Sequence, residues 1–105
     1  MANVMELDQS NFAETVASGV TLVDFWAPWC GPCMTQGPIV DKVASSVAGK
    51  AKVAKVDVDS AAQVAAEFGI RSIPTLIVFK DGKSVKQFIG VQSESQLVDA
   101  IESIC

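Results

Sequence analysis

Thr21-Leu-Val-Asp-Phe-Trp26 runs straight into Ala27-Pro-Trp-Cys-Gly-Pro-Cys33. The first six residues favour an extended chain and, apart from Asp24, are apolar on both alternating faces. A strand with no polar face belongs inside a sheet that is covered on both sides. Beyond Cys33, Ile39, Val40, Val43 and Val47 recur at helical spacing up to Gly49. The segment therefore reads as buried strand, cysteine-bearing turn and helix.

Working outward, Val4–Leu7 is a short strand. Asp8 or Ser10 is placed to cap a helix carrying Phe12 and Val16, closed by Gly19. Val53–Val58 is a second interior-type strand, interrupted by Lys55 and Asp57. Ala61, Val64, Ala65 and Phe68 mark a helix ended by Gly69. Thr75–Lys80 and Ser84–Ile89 flank Asp81-Gly82, a strong hairpin signal. Leu97, Ile101 and Ile104 share one face of a final helix. The order is β-α-β-α-β-α-β-β-α, with no repeat or linker. Alternation through the third helix implies right-handed parallel crossovers, to which the hairpin adds an antiparallel edge. The fold class is a small mixed α/β sandwich in one domain, residues 1–105.

With 105 residues, 50% hydrophobic and 19% charged, the chain has the composition of a folded domain. A net charge of −4 argues against nucleic-acid binding. Residues 1–41 hold five acids and no lysine or arginine; the first base is Lys42. The start MANVMELDQSNF lacks the basic and apolar regions of a secretory signal. The longest wholly apolar run, Leu76–Phe79, falls far short of the ~20 residues that cross a bilayer. The expected compartment is the cytoplasm, or an organelle matrix or stroma if a transit segment has been removed.

Three cysteines, an odd number, do not fit a fully paired secreted scaffold. Cys30 and Cys33 lie close enough to bond to each other. At the helix start, free N–H groups and the dipole favour a thiolate on Cys30. Cys33, about one turn inside, is the less accessible thiol. Cys30 is therefore expected to attack and Cys33 to resolve the mixed disulfide. Gly31 permits close backbone approach, and Pro32 suits the first helical turn. Zinc normally takes four Cys or His ligands, and this chain has no histidine and one further cysteine, distant in sequence. No metal is expected. An inert buried pair is the other reading, opposed by the helix-start position.

Asp24 shares a strand face with Leu22 and Trp26, where an apolar side chain is expected. A buried carboxylate must be hydrogen-bonded, paired or protonated. Two readings follow: a raised pKa with proton relay to Cys33, or a structural polar pair with Lys55 on a neighbouring strand. Pro74 at a strand start either excludes a ladder bond or is cis, leaving an unpaired backbone edge beside the dithiol. Alternation puts Trp26 in the core. Trp29, in the turn, is expected to be exposed and to serve docking of protein substrates.

Leu22–Cys33 resembles the active-site segment of the thioredoxin family. Val53–Asp59, Phe68–Leu76, Phe79–Gly82 and Phe88–Gly90 resemble its later signatures, in order along nearly the whole chain. The resemblance implies a thioredoxin fold, a five-stranded mixed sheet ordered 1-3-2-4-5 with four helices, two on each face. It implies a protein-disulfide reductase in which Cys30 attacks and Cys33 resolves, Asp24 and Lys55 form the buried proton-transfer pair, and Pro74 is the cis-proline facing the dithiol. Trp29, Gly31, Pro32, Val58, Ile73, Pro74, Gly90 and Val91 map onto the substrate-binding surface. No bound cofactor is implied. Electrons would pass through the Cys30–Cys33 disulfide from a thioredoxin reductase, either an NADPH-dependent flavoprotein or a ferredoxin-dependent enzyme, to disulfide-containing proteins. A monomer is expected, without membrane or nucleic-acid partners.

Departures from the family pattern cluster after Cys33. A cation followed by apolar residues is usual there; this chain has Met34-Thr-Gln-Gly-Pro38. The missing cation leaves an uncharged rim able to shift partner choice. Cys105 also departs, and reads as the apolar edge of the last helix, a glutathionylation point, or the link of a dimer under oxidation. Two rival functions stay open: a disulfide oxidant or isomerase, and a non-redox binding module using the same surface.

Overall fold

The computed structural model describes residues 3–105. Its strands are β1 (Val4–Leu7), β2 (Val20–Trp26), β3 (Lys52–Asp57), β4 (Thr75–Lys80) and β5 (Lys83–Ile89). Its helices are α1 (Phe12–Val16), α2 (Gly31–Ser46), α3 (Ala62–Glu67) and α4 (Glu94–Ile104). The sheet order is β1-β3-β2-β4-β5. β2 lies at its centre, as a strand with apolar residues on both faces requires, and six of its seven residues are buried.

Alternation along β2 divides the interior in two. Val23 and Phe25 face α1 and α3, joining Leu7, Phe12, Val16, Val64, Ile77 and Phe79. Val20 and Leu22 face α2 and α4, joining Val40, Val43, Val47, Leu97 and Ile101. Two helices thus cover each face. Each cluster removes a continuous apolar surface from water, at about 25 cal/mol per Å² of area buried.

Direction along the chain departs from the alternation argument. β1 and β2 both run parallel to β3, but β4 runs antiparallel to β2. The third crossover is therefore not a parallel one. The connection 58–74 returns the chain to the sheet at the end where β3 leaves: Trp26 pairs with Asp57 and Phe25 with Thr75. Hydrophobic periodicity reports burial and carries no sign for direction.

The β4–β5 hairpin turns at Asp81 (φ 50°) and Gly82 (φ 86°). Two successive positive φ values are what a two-residue hairpin needs to match strand twist. The start of α1 differs from expectation. Neither Asp8 nor Ser10 caps it; Asn11 is the N-cap residue and makes no side-chain capping bond. Asp8 instead accepts hydrogen bonds from the Ser10 N–H and hydroxyl, which closes the preceding turn on itself. α4 has a full capping box, in which Ser93 and Gln96 satisfy each other's backbone N–H.

Candidate active site

The site forms where β2 ends and α2 begins. Cys30 is the N-cap of α2, and Gly31 and Pro32 open the helix. Pro32 loses nothing there, because first-turn N–H groups have no partner within the helix. Cys30 and Cys33 form a disulfide with Cα atoms 5.2 Å apart. The Cys33 N–H points at Cys30 Sγ, 3.2 Å away. A helix N-terminus and a directed N–H both stabilise negative charge on the Cys30 sulfur. Cys30 is 5% exposed and Cys33 2%. Accessibility separates the two sulfurs less than the sequence suggests; position on the helix separates them more.

Ala27 and the two cysteines form a small cluster against which Trp26, Val58 and Ile73 pack. The Ile73–Pro74 peptide is cis. The Ile73 carbonyl oxygen lies 3.7 Å from Cys30 Sγ, and the Pro74 carbonyl accepts a hydrogen bond from the Gly90 N–H at 2.9 Å. Two loops distant in sequence, around 73–74 and 90–91, are thus tied together beside the dithiol. Val91 is exposed, and Trp29 is 70% exposed. The expected surface residues Trp29, Gly31, Pro32, Val58, Ile73, Pro74, Gly90 and Val91 all belong to the cysteine turn, its packing shell or these tied loops.

Behind Cys33 opens a cleft of about 320 Å³, lined by Asp24, Trp26, Gly37, Pro38 and Lys55 among others. Asp24 is 3% exposed, and its Oδ1 has no hydrogen-bond partner. Burial pushes its carboxyl up to about 7, against a smaller opposing pull from the Lys55 ammonium. Lys55 is the register partner of Asp24 across β2 and β3. Its Nζ lies 4.8 Å from the centroid of the Trp26 ring. The two therefore interact through charge across neighbouring strands, without a hydrogen bond between them.

Trp26 is half-buried, a correction to its expected core position. It ends β2, packs against the dithiol cluster on one side and lines the open cleft with Gly37 and Pro38 of α2 on the other. Cys105 is exposed and follows the end of α4, so it does not complete that helix's apolar edge. Among the described residues, no group of three or more His, Cys, Asp or Glu side chains could hold a metal ion.

Two residues at the site escaped the sequence reading. Asp59 accepts a hydrogen bond from the Trp29 indole at 2.7 Å and orients the exposed ring. Gln36 is fully buried and bonds twice to the backbone of Gln92. Its signal was its register: three residues after Cys33 and four before Val40, it lies on the inward face of α2. Nothing local marks Asp59, which lies thirty positions from its partner.

The chain has relatives along nearly its whole length. A model of the family described as thioredoxin matches residues 3–103. A thioredoxin of Staphylococcus saprophyticus is 46% identical over 99 residues, covering 94% of this chain and 95% of the relative. One from Staphylococcus aureus is 42% identical over the same coverage. The solved structure of a mutant thioredoxin from Halobacterium salinarum superposes with a TM-score of 0.88 at 38% identity, covering 96% of this chain and 89% of that one. Sheet order, the dithiol on the α2 N-terminus and these similarities converge on one assignment: the chain belongs to the thioredoxin family and is a thiol-disulfide oxidoreductase whose redox group is the Cys30–Cys33 disulfide.

Proposed function

We propose that the protein reduces disulfides of other proteins by ordered exchange, with Cys30 as nucleophile and Cys33 as resolving thiol. One observation carries this order: Cys30 caps α2 and receives the Cys33 N–H at 3.2 Å, an arrangement that favours a thiolate on Cys30. The Cys30 thiolate attacks one sulfur of the substrate disulfide, forming a mixed disulfide and releasing the other substrate sulfur as a thiolate. Cys33 then loses its proton and attacks Cys30 Sγ, which forms the Cys30–Cys33 bond and expels the second substrate thiolate. Two electrons pass to the substrate, and its two thiolates take up two protons.

Asp24 is the group placed to take the Cys33 proton. Both line the same cleft, and a carboxyl with pKa about 7 can accept and return a proton near neutrality. Lys55 limits how far that pKa rises. Trp29, Val58, Ile73, Pro74, Gly90 and Val91, with Gly31 and Pro32, form the surface on which the substrate chain docks. The oxidised protein is regenerated by a partner reductase, an NADPH-dependent flavoprotein or a ferredoxin-dependent enzyme, and the setting is the cytoplasm.

The test is insulin reduction driven by NADPH and a flavoprotein thioredoxin reductase, then by dithiothreitol, for the unsubstituted protein and Cys30→Ser. Turnover that vanishes in the variant is expected. Activity with dithiothreitol alone would retain the chemistry and reject the flavoprotein as donor. Silence with both donors would overturn the proposal.

A further inference from the structure

We propose that Gln36 is a positioning residue that fixes the Gly90–Gln92 wall of the substrate surface to the helix carrying the dithiol, an inference that rests on the docking surface described above. Gln36 is fully buried on α2, three residues beyond Cys33. Its Nε2 donates to the Gln92 carbonyl at 3.1 Å, and its Oε1 accepts from the Gln92 N–H at 2.7 Å. A single planar carboxamide thus meets the donor and acceptor of one backbone residue, as a neighbouring strand would.

The segment needs such a partner. β5 ends at Ile89, and residues 90–92 belong to no strand. Gly90 turns with φ 90° and is tied to Pro74 through its N–H. The Gln92 side chain folds back to the Gly90 carbonyl at 3.2 Å. Gln36 supplies the link from this loop to α2, so the Pro74 loop, the Gly90–Gln92 loop and the dithiol helix hold one another. An apolar side chain of the same length would fill the space and leave the Gln92 backbone groups without these partners. The carboxamide therefore acts on where Val91 stands relative to Cys30 and takes no part in the exchange of sulfur bonds.

The test compares Gln36→Met and Val91→Asp with the unsubstituted full-length protein, all pre-reduced. Single-turnover reduction of insulin is followed against insulin concentration, alongside reduction of the small disulfide 5,5′-dithiobis(2-nitrobenzoic acid). For Gln36→Met, the half-saturating insulin concentration should rise about fivefold while the limiting rate and the small-disulfide rate stay within about twofold. Amide hydrogen exchange at Gln92 should accelerate. If Gln36→Met fails to fold, Gln36→Glu, which loses the donor and keeps an acceptor, should raise the same concentration. Equal losses with both substrates would make Gln36 merely structural and overturn the inference. A rise for Val91→Asp without one for Gln36→Met would keep the docking surface and reject the clamp. If neither variant moves the insulin concentration, the docking surface itself falls and the clamp with it.

Discussion

On one side of β2, Phe25 meets the rings of Phe12 and Phe68, and Phe79 completes a four-ring cluster with centroids 5.2–6.5 Å apart. On the other side, Leu22 leads within two residues to Asp24 and then to Trp26, the cleft and the dithiol. Each face also contains a buried oxygen without a partner: the Thr21 hydroxyl, which alternates with Val23 and Phe25, and the Asp24 carboxylate. A hydroxyl in that position costs a fixed amount of stability. A carboxyl in the same condition titrates, as the proton transfer proposed for Asp24 requires. Both faces carry apolar clusters that stabilise the fold, and the second also carries the buried carboxyl and the cleft beside the dithiol.

Phe79→Ala should break the first half of this contrast most visibly. Removing a fully buried ring from the cluster is expected to lower stability by ~3–5 kcal/mol, with the thiol reactivity of the remaining folded protein unchanged. Chemical denaturation and a thiol-alkylation rate check both parts. Loss of less than about 1 kcal/mol would mean that the rings are not the main anchor of that face.

Asp24→Asn tests the other half. The unfolded carboxyl releases its proton near 3.8, while the folded one keeps it up to about 7. Between those values only the folded state holds the proton, so the stability of the unsubstituted protein falls as pH rises from about 4 to about 7 and levels off above. The whole span is worth roughly 4 kcal/mol at about 1.4 kcal/mol per pH unit. The oxidised Asn variant should gain on the unsubstituted protein by that order across the window, while its insulin turnover at neutral pH falls. Parallel stability–pH curves would contradict a titrating Asp24.

Thr21→Val sharpens the comparison with the smallest effect. Replacing the unpartnered hydroxyl by a methyl of similar size should stabilise the fold by ~1 kcal/mol, equally at pH 4 and pH 8, with turnover unaltered. A pH-dependent gain, measured by the same denaturation series, would show that the two orphan oxygens are not different in kind.

Much of this division was legible in the chain. Local pattern placed the central strand 21–26, the hairpin about Asp81-Gly82, the helix after Cys33 and the odd carboxyl at Asp24, because burial, turn geometry and helix period all act over a few residues. The same logic failed where the cause is distant. The direction of β4 depends on the end of the sheet to which the connection 58–74 returns the chain, which periodicity does not report. The half-burial of Trp26 depends on the cleft that opens between it and α2. The Gln36–Gln92 and Trp29–Asp59 hydrogen bonds join positions 56 and 30 apart, and neither partner's neighbours announce it. The start of α1 was misread for a different reason: Asp8, Ser10 and Asn11 can all act as caps, and two of them satisfy each other in the turn instead.

The central claim is that Cys30 attacks and Cys33 resolves. Reduced Cys33→Ser, mixed with a disulfide-containing protein and examined by intact mass and peptide mapping, tests it most directly. Accumulation of a mixed disulfide at Cys30, absent from Cys30→Ser, is the predicted result. A stable adduct that forms instead through Cys33 in Cys30→Ser, with none at Cys30 in Cys33→Ser, would contradict it.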